Sequence, residues 1–451
     1  MKKHLLSVAV CLAGTLLVTA CGGSSSSAKE NGKQVTRGVI DGFGSVIVNG
    51  VHFNSDRTQF TVDDRAGIQA DLRVGQVVTI VGNHNGAEGV AAEIIYDVSV
   101  EGTVTAIDSA SGTLTVLGQT VVTDAMTIFE GLDLATLTVG QRVEVSGYSA
   151  GEGRIIASFI AADDADQSPE ELTGVVAGFD SSAQTFLIGS QLISYASVAT
   201  LDLDGATLSD GMQVEVEGTL DGDVLVASEI EAEDSDFEED TELEMSGAVT
   251  AVDADNNQFV LNGMTVRFDS ETEFDDGDQS ALQAGVMVEV EGVVGTDGVL
   301  LAEEIEFEEA PEIELEGMVQ ATTENTLTVM GITINADLRT RVRDDRDDEV
   351  YFNLSMLQPG DHVELLLEET TAGQYRAQLL ERVDASNKVE LKAPVSAIDL
   401  SAGTVVLLGL TLDVSAQDPS MLSSLVSGSM VEIEGSFDGQ VLIVQSMEID
   451  D

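Results

Sequence analysis

Leu208-Ser209-Asp210-Gly211-Met212-Gln213-Val214-Glu215-Val216-Glu217-Gly218 is the stretch that decides the fold. Between its two glycines, apolar and acidic residues alternate with the period of a strand that has one buried and one wet face. The same block, Leu-x-x-Gly and then a strand, recurs six times, beginning at Leu72, Leu137, Leu208, Leu282, Leu357 and Leu425. Its glycines, at 75, 140, 211, 285, 360 and 428, are 65, 71, 74, 75 and 68 residues apart. Three and five positions beyond each glycine stand apolar residues, from Val78 and Ile80 in the first copy to Val431 and Ile433 in the last. Between them lies Glu in five copies (Glu144, Glu215, Glu289, Glu364, Glu432) and Thr79 in the first, and the alternation assigns these side chains to the solvent-facing side. A second glycine closes the strand at Gly82, Gly147, Gly218, Gly292 and Gly435, with Leu367 in its place in copy five.

The rest of each repeat follows from this block. A first strand opens on Gly-x-Val, as at Gly102, Gly174, Gly247 and Gly317. A hairpin with Gly near its tip comes next (Asn49-Gly50, Leu117-Gly118, Asn262-Gly263, Met330-Gly331), supplying the positive φ that tight hairpins need. A variable stretch leads to Leu-x-x-Gly, which reads as one helical turn ended by glycine. The block strand then pairs, across turns such as Asp221-Gly222, Asp297-Gly298 and Asp438-Gly439, with a last strand carrying Ala91, Ala157, Ala227, Ala302 or Ala377. Three strands, a short helix or turn and two more strands in about 70 residues resemble the OB-fold, a five-stranded Greek-key barrel. An SH3-like barrel or a small sandwich fits the same signals. The expected fold is all-β: six tandem small five-stranded OB-like β-barrel modules at residues 36–100, 101–171, 172–242, 243–311, 312–387 and 388–451, strung as an extended or bent chain of beads.

The Gly-x-Val opening, the Leu-x-x-Gly-x-x-Val-Glu-Val-x-Gly block and the Asp-Gly-x-x-x-Ala-x-x-Ile ending resemble a family of small repeated β-domains of bacterial exported lipoproteins, itself catalogued as a domain of unknown function. The resemblance spans residues 36–451. It is weakest in copy five and at Ala393-Pro394, where copy six lacks the glycine-led opening. It implies a fold and a location, and it brings no catalytic residues.

The amino-terminal segment agrees with that location. Lys2 and Lys3 precede an apolar run from Leu5 to Leu17, too short to span a bilayer and suited to a secretory signal. It ends in Leu17-Val18-Thr19-Ala20-Cys21, which resembles the lipobox of bacterial lipoproteins. The resemblance implies a signal peptide over residues 1–20, removed on processing, and acylation of Cys21. Gly22 and Gly23 follow where that family places Asp to hold a lipoprotein in the inner membrane, so an outer-membrane anchor is expected. Residues 21–35 read as the lipidated cysteine and a flexible tether of about 20 Å root-mean-square reach. Cys11 leaves with the signal and Cys21 is lipidated, so no thiol remains for a disulfide.

The chain of 451 residues has 81 acidic and 19 basic side chains, a net charge of −62. Nucleic-acid binding draws its affinity from Lys and Arg contacts to phosphates, so nucleic acid is excluded as a partner. Membrane contact is expected through the lipid alone, and the partner is an unspecified protein or polysaccharide of the envelope. The three histidines beyond the signal, His52, His84 and His362, accompany no hydrolase, P-loop or zinc motif. No cofactor is expected beyond loosely bound Ca²⁺. Acids make up ten of the sixteen residues 229–244 and eight of the fourteen residues 303–316. These runs are either a solvated face or a weak metal site, with Glu303, Glu304, Glu306, Glu308 and Glu309 as candidate ligands. One segment runs against the charge: Arg339, Arg341, Arg343 and Arg346 fall within eight residues of module five. It is either a self-neutralised loop or a docking site for an anion, including an acidic patch on a neighbouring copy. The leading functional reading is a non-enzymatic, lipid-anchored binding or spacer protein. A divalent-cation-dependent adhesin or matrix component is the alternative, and a hydrolase acting on an envelope polymer comes third.

Overall fold

The computed structural model describes residues 33–163, 169–203, 205–233, 237–308, 311–346, 351–437 and 442–449. They are nearly all strand, with a single four-residue α-helix among them, Pro419–Leu422. In module three the first strand, Glu170–Asp180, pairs antiparallel with Thr185–Ile188, and that strand with Gln191–Ser194. Gln191–Ser194 runs parallel to the last strand, Val224–Ala232. The last strand pairs antiparallel with the block strand Gln213–Asp221, which returns antiparallel to Glu170–Asp180. The circuit closes, and no edge is left within the barrel. Strand order 1-2-3-5-4-1, with only the third and fifth strands parallel, is the OB arrangement. Modules one, two, four and five repeat it strand for strand.

Among the described residues, module six does not close its barrel. Its first strand breaks after Pro394, which has no N–H for the ladder, and resumes at Ala397–Asp399 in a separate three-stranded sheet.

The two recurring glycines of the block have distinct causes. The first sits at φ between 90° and 101° in all six copies, a region that side chains avoid. Its N–H donates to the first strand at 2.8–2.9 Å in every copy, as in Gly211 N to Val176 O, and the next residue's carbonyl receives a bond back, as in Val176 N to Met212 O. This reciprocal clamp holds block to barrel. The turn before it is a 3₁₀-helix in modules one and five (Gln69–Asp71, Leu354–Met356) and an α-helix in module six. The second glycine stands at a bulge in the block strand, against the alanine of the last strand: Gly82 on Ala91, Gly147 on Ala157, Gly218 on Ala227, Gly292 on Ala302. A Cβ on Gly292 would lie 2.2 Å from Leu301 O. Gly292→Ala is therefore expected to lower stability by about 1–3 kcal/mol, read as a lower denaturant midpoint at unchanged m-value.

The stretch between hairpin and block, variable in sequence, contributes a further short strand to five modules: Gln59–Val62, Ile128–Glu130, Thr200–Asp202, Glu273–Asp275 and Arg341–Asp344, each parallel to the last strand. In modules two, four and five an Asp-x-x-Thr pair (Asp124/Thr127, Asp269/Thr272, Asp337/Thr340) sets its start. There the threonine hydroxyl bonds the carbonyl of the recurring alanine at 2.8–2.9 Å.

The modules are not beads on a string. Val100 and Glu101 of module two pair with Leu172 and Glu171 of module three, and the two cores merge around Val100, Leu172, Val216 and Ile230. Modules five and six fuse likewise, through Glu314–Glu316 against Glu390–Lys392. Residues Gln34–Arg37 of module one run parallel to Glu242–Met245 of module four, so Val35 joins the core of module four. Module one's own core takes in Ile128 and Phe159 from module two and Leu379 from module five. First strands begin at Gln34, Glu170 and Glu242, one or two residues before the expected starts of modules one, three and four. The sequence reading places Gln34 and Val35 in the tether, Glu170 and Glu171 at the end of module two and Glu242 at the end of module three, whereas each opens the first strand of the module that follows.

Candidate functional site

The outer faces of the first and block strands are where modules meet, and they are lined with carboxylates. In module three, Glu171 on the first strand lies directly opposite Glu217 on the block strand, with Glu215 one step further along the same face. Oxygens of these three side chains come within 4.8 Å of one another. Glu171 is 4% exposed and Glu215 6%. The row continues through both neighbours, Glu101 opposite Glu171 across the seam to module two and Glu229 opposite Glu217. Like charges directly opposite destabilise a sheet. Burial, then the surrounding acids, push the Glu171 carboxyl up to about 9 and the Glu215 carboxyl up to about 10. The expectation that the block glutamates face water therefore fails at Glu215 and Glu289, because period two separates the inside of a barrel from its outside but not a covered outside from a wet one.

The same three positions in module four hold Glu244, Glu291 and Glu289. There, cations from other modules meet them. Arg339 of module five places Nη2 3.1 Å from Glu289 and Nη1 3.1 Å from Glu306, and His84 of module one places Nε2 3.4 Å from Glu244. In module six the equivalent residues are Glu390, Glu432 and Glu434, and Lys388 reaches Glu390 at 2.6 Å and Glu434 at 3.2 Å. In module two, Glu144 is bonded by the Tyr96 hydroxyl and by Gln76 of module one. A sequence signal for the triads existed: Glu171 and Glu244 each stand three residues before the Gly-x-Val glycine.

The arginine run forms three of these seams. Arg339 precedes the short strand Arg341–Asp344 and docks on module four as described. Arg341, 9% exposed, lies 3.6 Å from Asp41 of module one and donates to the Met126 carbonyl of module two. Arg343 donates to the Phe129 carbonyl of module two and pairs with Glu381 at 2.8 Å. Arg346 stays within module five, 3.1 Å from the buried Asp344, which Arg382 also contacts. At the Arg339 end the junction of modules one, four and five forms an open cleft lined by Asn49, His84, Glu244 and Arg339. Burial pushes Asp41 up to about 7, Glu244 to about 7 and Glu289 to about 8.

The acids of the second run are dispersed by the alternation of their strand, Leu300–Phe307. Glu303 and Glu308 are exposed and Glu304 and Glu306 half-buried; Glu304, Glu306 and Glu308 share a face by alternation, and Glu306 is taken up by Arg339. Glu309 and Cys21 lie outside the described residues, as do Asp438 and Gly439. Each of the three histidines faces one carboxylate: His52 with Glu88 at 3.5 Å, His84 with Glu244, and the buried His362 with Glu316 at 2.9 Å.

Comparison with known proteins agrees with the repeats. The family model described as a domain of unknown function, DUF5666, matches residues 34–95, 101–161, 173–231, 246–306 and 316–381. No curated protein matches. Among solved structures the chain is similar to drosophila Unr CSD456, at 12% identity and a TM-score of 0.17, over 46% of this chain and 96% of that one. Module six carries the family's element order in its described residues and lies beyond the matched segments. With five matched copies covering most of its length, the chain belongs to the DUF5666 family of tandem domains of unknown function.

Proposed function

We propose that this protein is a non-enzymatic scaffold of the bacterial cell envelope, held by lipid on Cys21 at the outer membrane and presenting its OB-like modules to a protein or polysaccharide partner. The observation that supports this is the way the modules are joined. Their first strands pair with one another in three inter-module ladders, and their cores are shared across the seams. A body built this way transmits position between its parts, as a spacer or platform must. The charge of −62 keeps its remaining surface soluble and repels nucleic acid and anionic lipid.

Cys21→Ala is the direct test of the anchor. The variant is expected to leave the outer-membrane fraction and to be recovered unprocessed or soluble; unchanged outer-membrane recovery would overturn the lipid anchor. Envelope extract passed over the immobilised chain is expected to leave a bound protein or polymer, and retention no greater than on a blank column would remove the binding role.

A further inference from the structure

One sheet position carries three glutamates in three different modules, and in two of them the structure supplies the positive charge. Module four has Arg339 and His84 against Glu289 and Glu244, and module six has Lys388 against Glu390 and Glu434. In module three, no Lys, Arg or His among the described residues forms an ion pair with Glu171, Glu215 or Glu217. Arg65 of module one acts on Glu217 from beyond that range. What surrounds the module-three triad is more acid: Asp63 and Asp64 of module one, Asp97 in the connection to module two, Glu101 of module two and Glu233. Independently of this crowding, Oε1 of Glu171 is buried without a hydrogen-bond partner, and so is Oδ1 of Asp63. A buried carboxylate oxygen that accepts nothing is destabilising, and here it belongs to the cluster itself.

We propose that Glu171, Glu215 and Glu217 bind a divalent, oxygen-seeking cation of the calcium class. The ion takes the place that Arg339 holds in module four. The six carboxylate oxygens of the triad match the lower end of the six to eight oxygens that Ca²⁺ collects in flexible geometry. A lysine or arginine would give one positive charge to this cluster, and a divalent ion gives two. The inference deepens the scaffold reading and rests on it only for purpose: the ion neutralises a row of acids that runs across the seam between modules two and three.

The full chain should be melted in a chelator, in saturating CaCl₂ and in NaCl of matched ionic strength, with Ca²⁺ binding followed by titration calorimetry. The expected result is a Ca²⁺-specific, saturating rise in Tm beyond that in NaCl. Glu171→Gln and Glu215→Gln are each expected to weaken Ca²⁺ about tenfold or more, while Glu289→Gln, at the matching position in module four, leaves the Ca²⁺ response unchanged. Superimposable Ca²⁺ and NaCl melts overturn the proposal, and so does loss of the response in Glu289→Gln to the same extent as in Glu215→Gln. Gln preserves side-chain shape, so a melt of Glu215→Gln in chelator at or above the parent's shows that the variant is folded. Should it fail to fold, Glu171→Gln and direct titration of the parent chain decide the matter. Neither anchoring nor partner capture enters these melts, so the two readings fail separately.

Discussion

Raising the pH from 5 to 8 at constant ionic strength is expected to destabilise this protein, and the change should be felt first where modules one, four and five meet. Asp41, Glu244 and Glu289 are all buried there, and burial holds their carboxyls above the ordinary range, at about 7, 7 and 8. The sign follows from proton counts. Between the unfolded value near 4 and the raised folded value, the native state keeps a proton that the unfolded chain has released. Stability then falls as pH rises through that window. The stabilisation is whole below about pH 4, decays from there and is spent by about pH 8. For Asp41 alone the upper bound is about 4 kcal/mol. The lower end of the scan is set by Asp344, held below the usual carboxylate range by Arg382 and Arg346 against its burial. A Tm series at pH 5, 6.5 and 8 checks the slope, and a flat or rising profile would refute it. Glu289→Gln isolates the junction: Arg339 keeps Glu306, so the variant should gain stability at pH 8 and almost none at pH 5.

Val216→Asp should unfold two modules together. Val216 is fully buried in the block strand of module three, inside a core continuous with that of module two. An unpaired charge there costs several kcal/mol, and the Val100–Leu172 seam carries the loss across. Module one should loosen next, since Ile128 and Phe159 of module two complete its core. Limited proteolysis is expected to cut first within residues 99–232, with residues 313–437 still protected. Cleavage confined to residues 170–232 would mean that the doublet is not the cooperative unit.

How the fold shows in the sequence follows from what repeats. The Leu-x-x-Gly turn, the bulge glycine and the glycine-tipped hairpins each satisfy a need internal to one barrel, so all or, for the bulge glycine, five of the six copies restate them and chance is averaged out. The fifth-strand alanine belongs with these; its reason, the close approach of Gly292 to Ala302 and its equivalents, is visible only in three dimensions. The extra strand beside the last one was hidden because its residues share no side-chain pattern. Its anchor is the Asp-x-x-Thr turn, two residues spaced too sparsely to stand out. The seams were hidden for a different reason. Each joins a different pair of modules and occurs once, so nothing repeats. The arginine run at 339–346 was conspicuous as an exception to the charge, and three of its four side chains proved to be seam contacts. The acid runs drew attention by density, whereas Glu171, Glu215 and Glu217 are gathered by pairing across two strands.

The clamp between the first block glycine and the first strand is made of backbone alone. It therefore constrains no side chain on the barrel's exterior, and a duplicated copy folds whatever its outer residues become. Divergence after duplication could then turn six interchangeable parts into parts with fixed addresses. Module three inserted in place of module four would bring Thr173 rather than Ser246 opposite the central glutamate, and different flanks to Arg339 and His84. Reordering the copies by gene shuffling should thus yield chains whose barrels form and whose assembly fails, separating inheritance of the part from inheritance of its position.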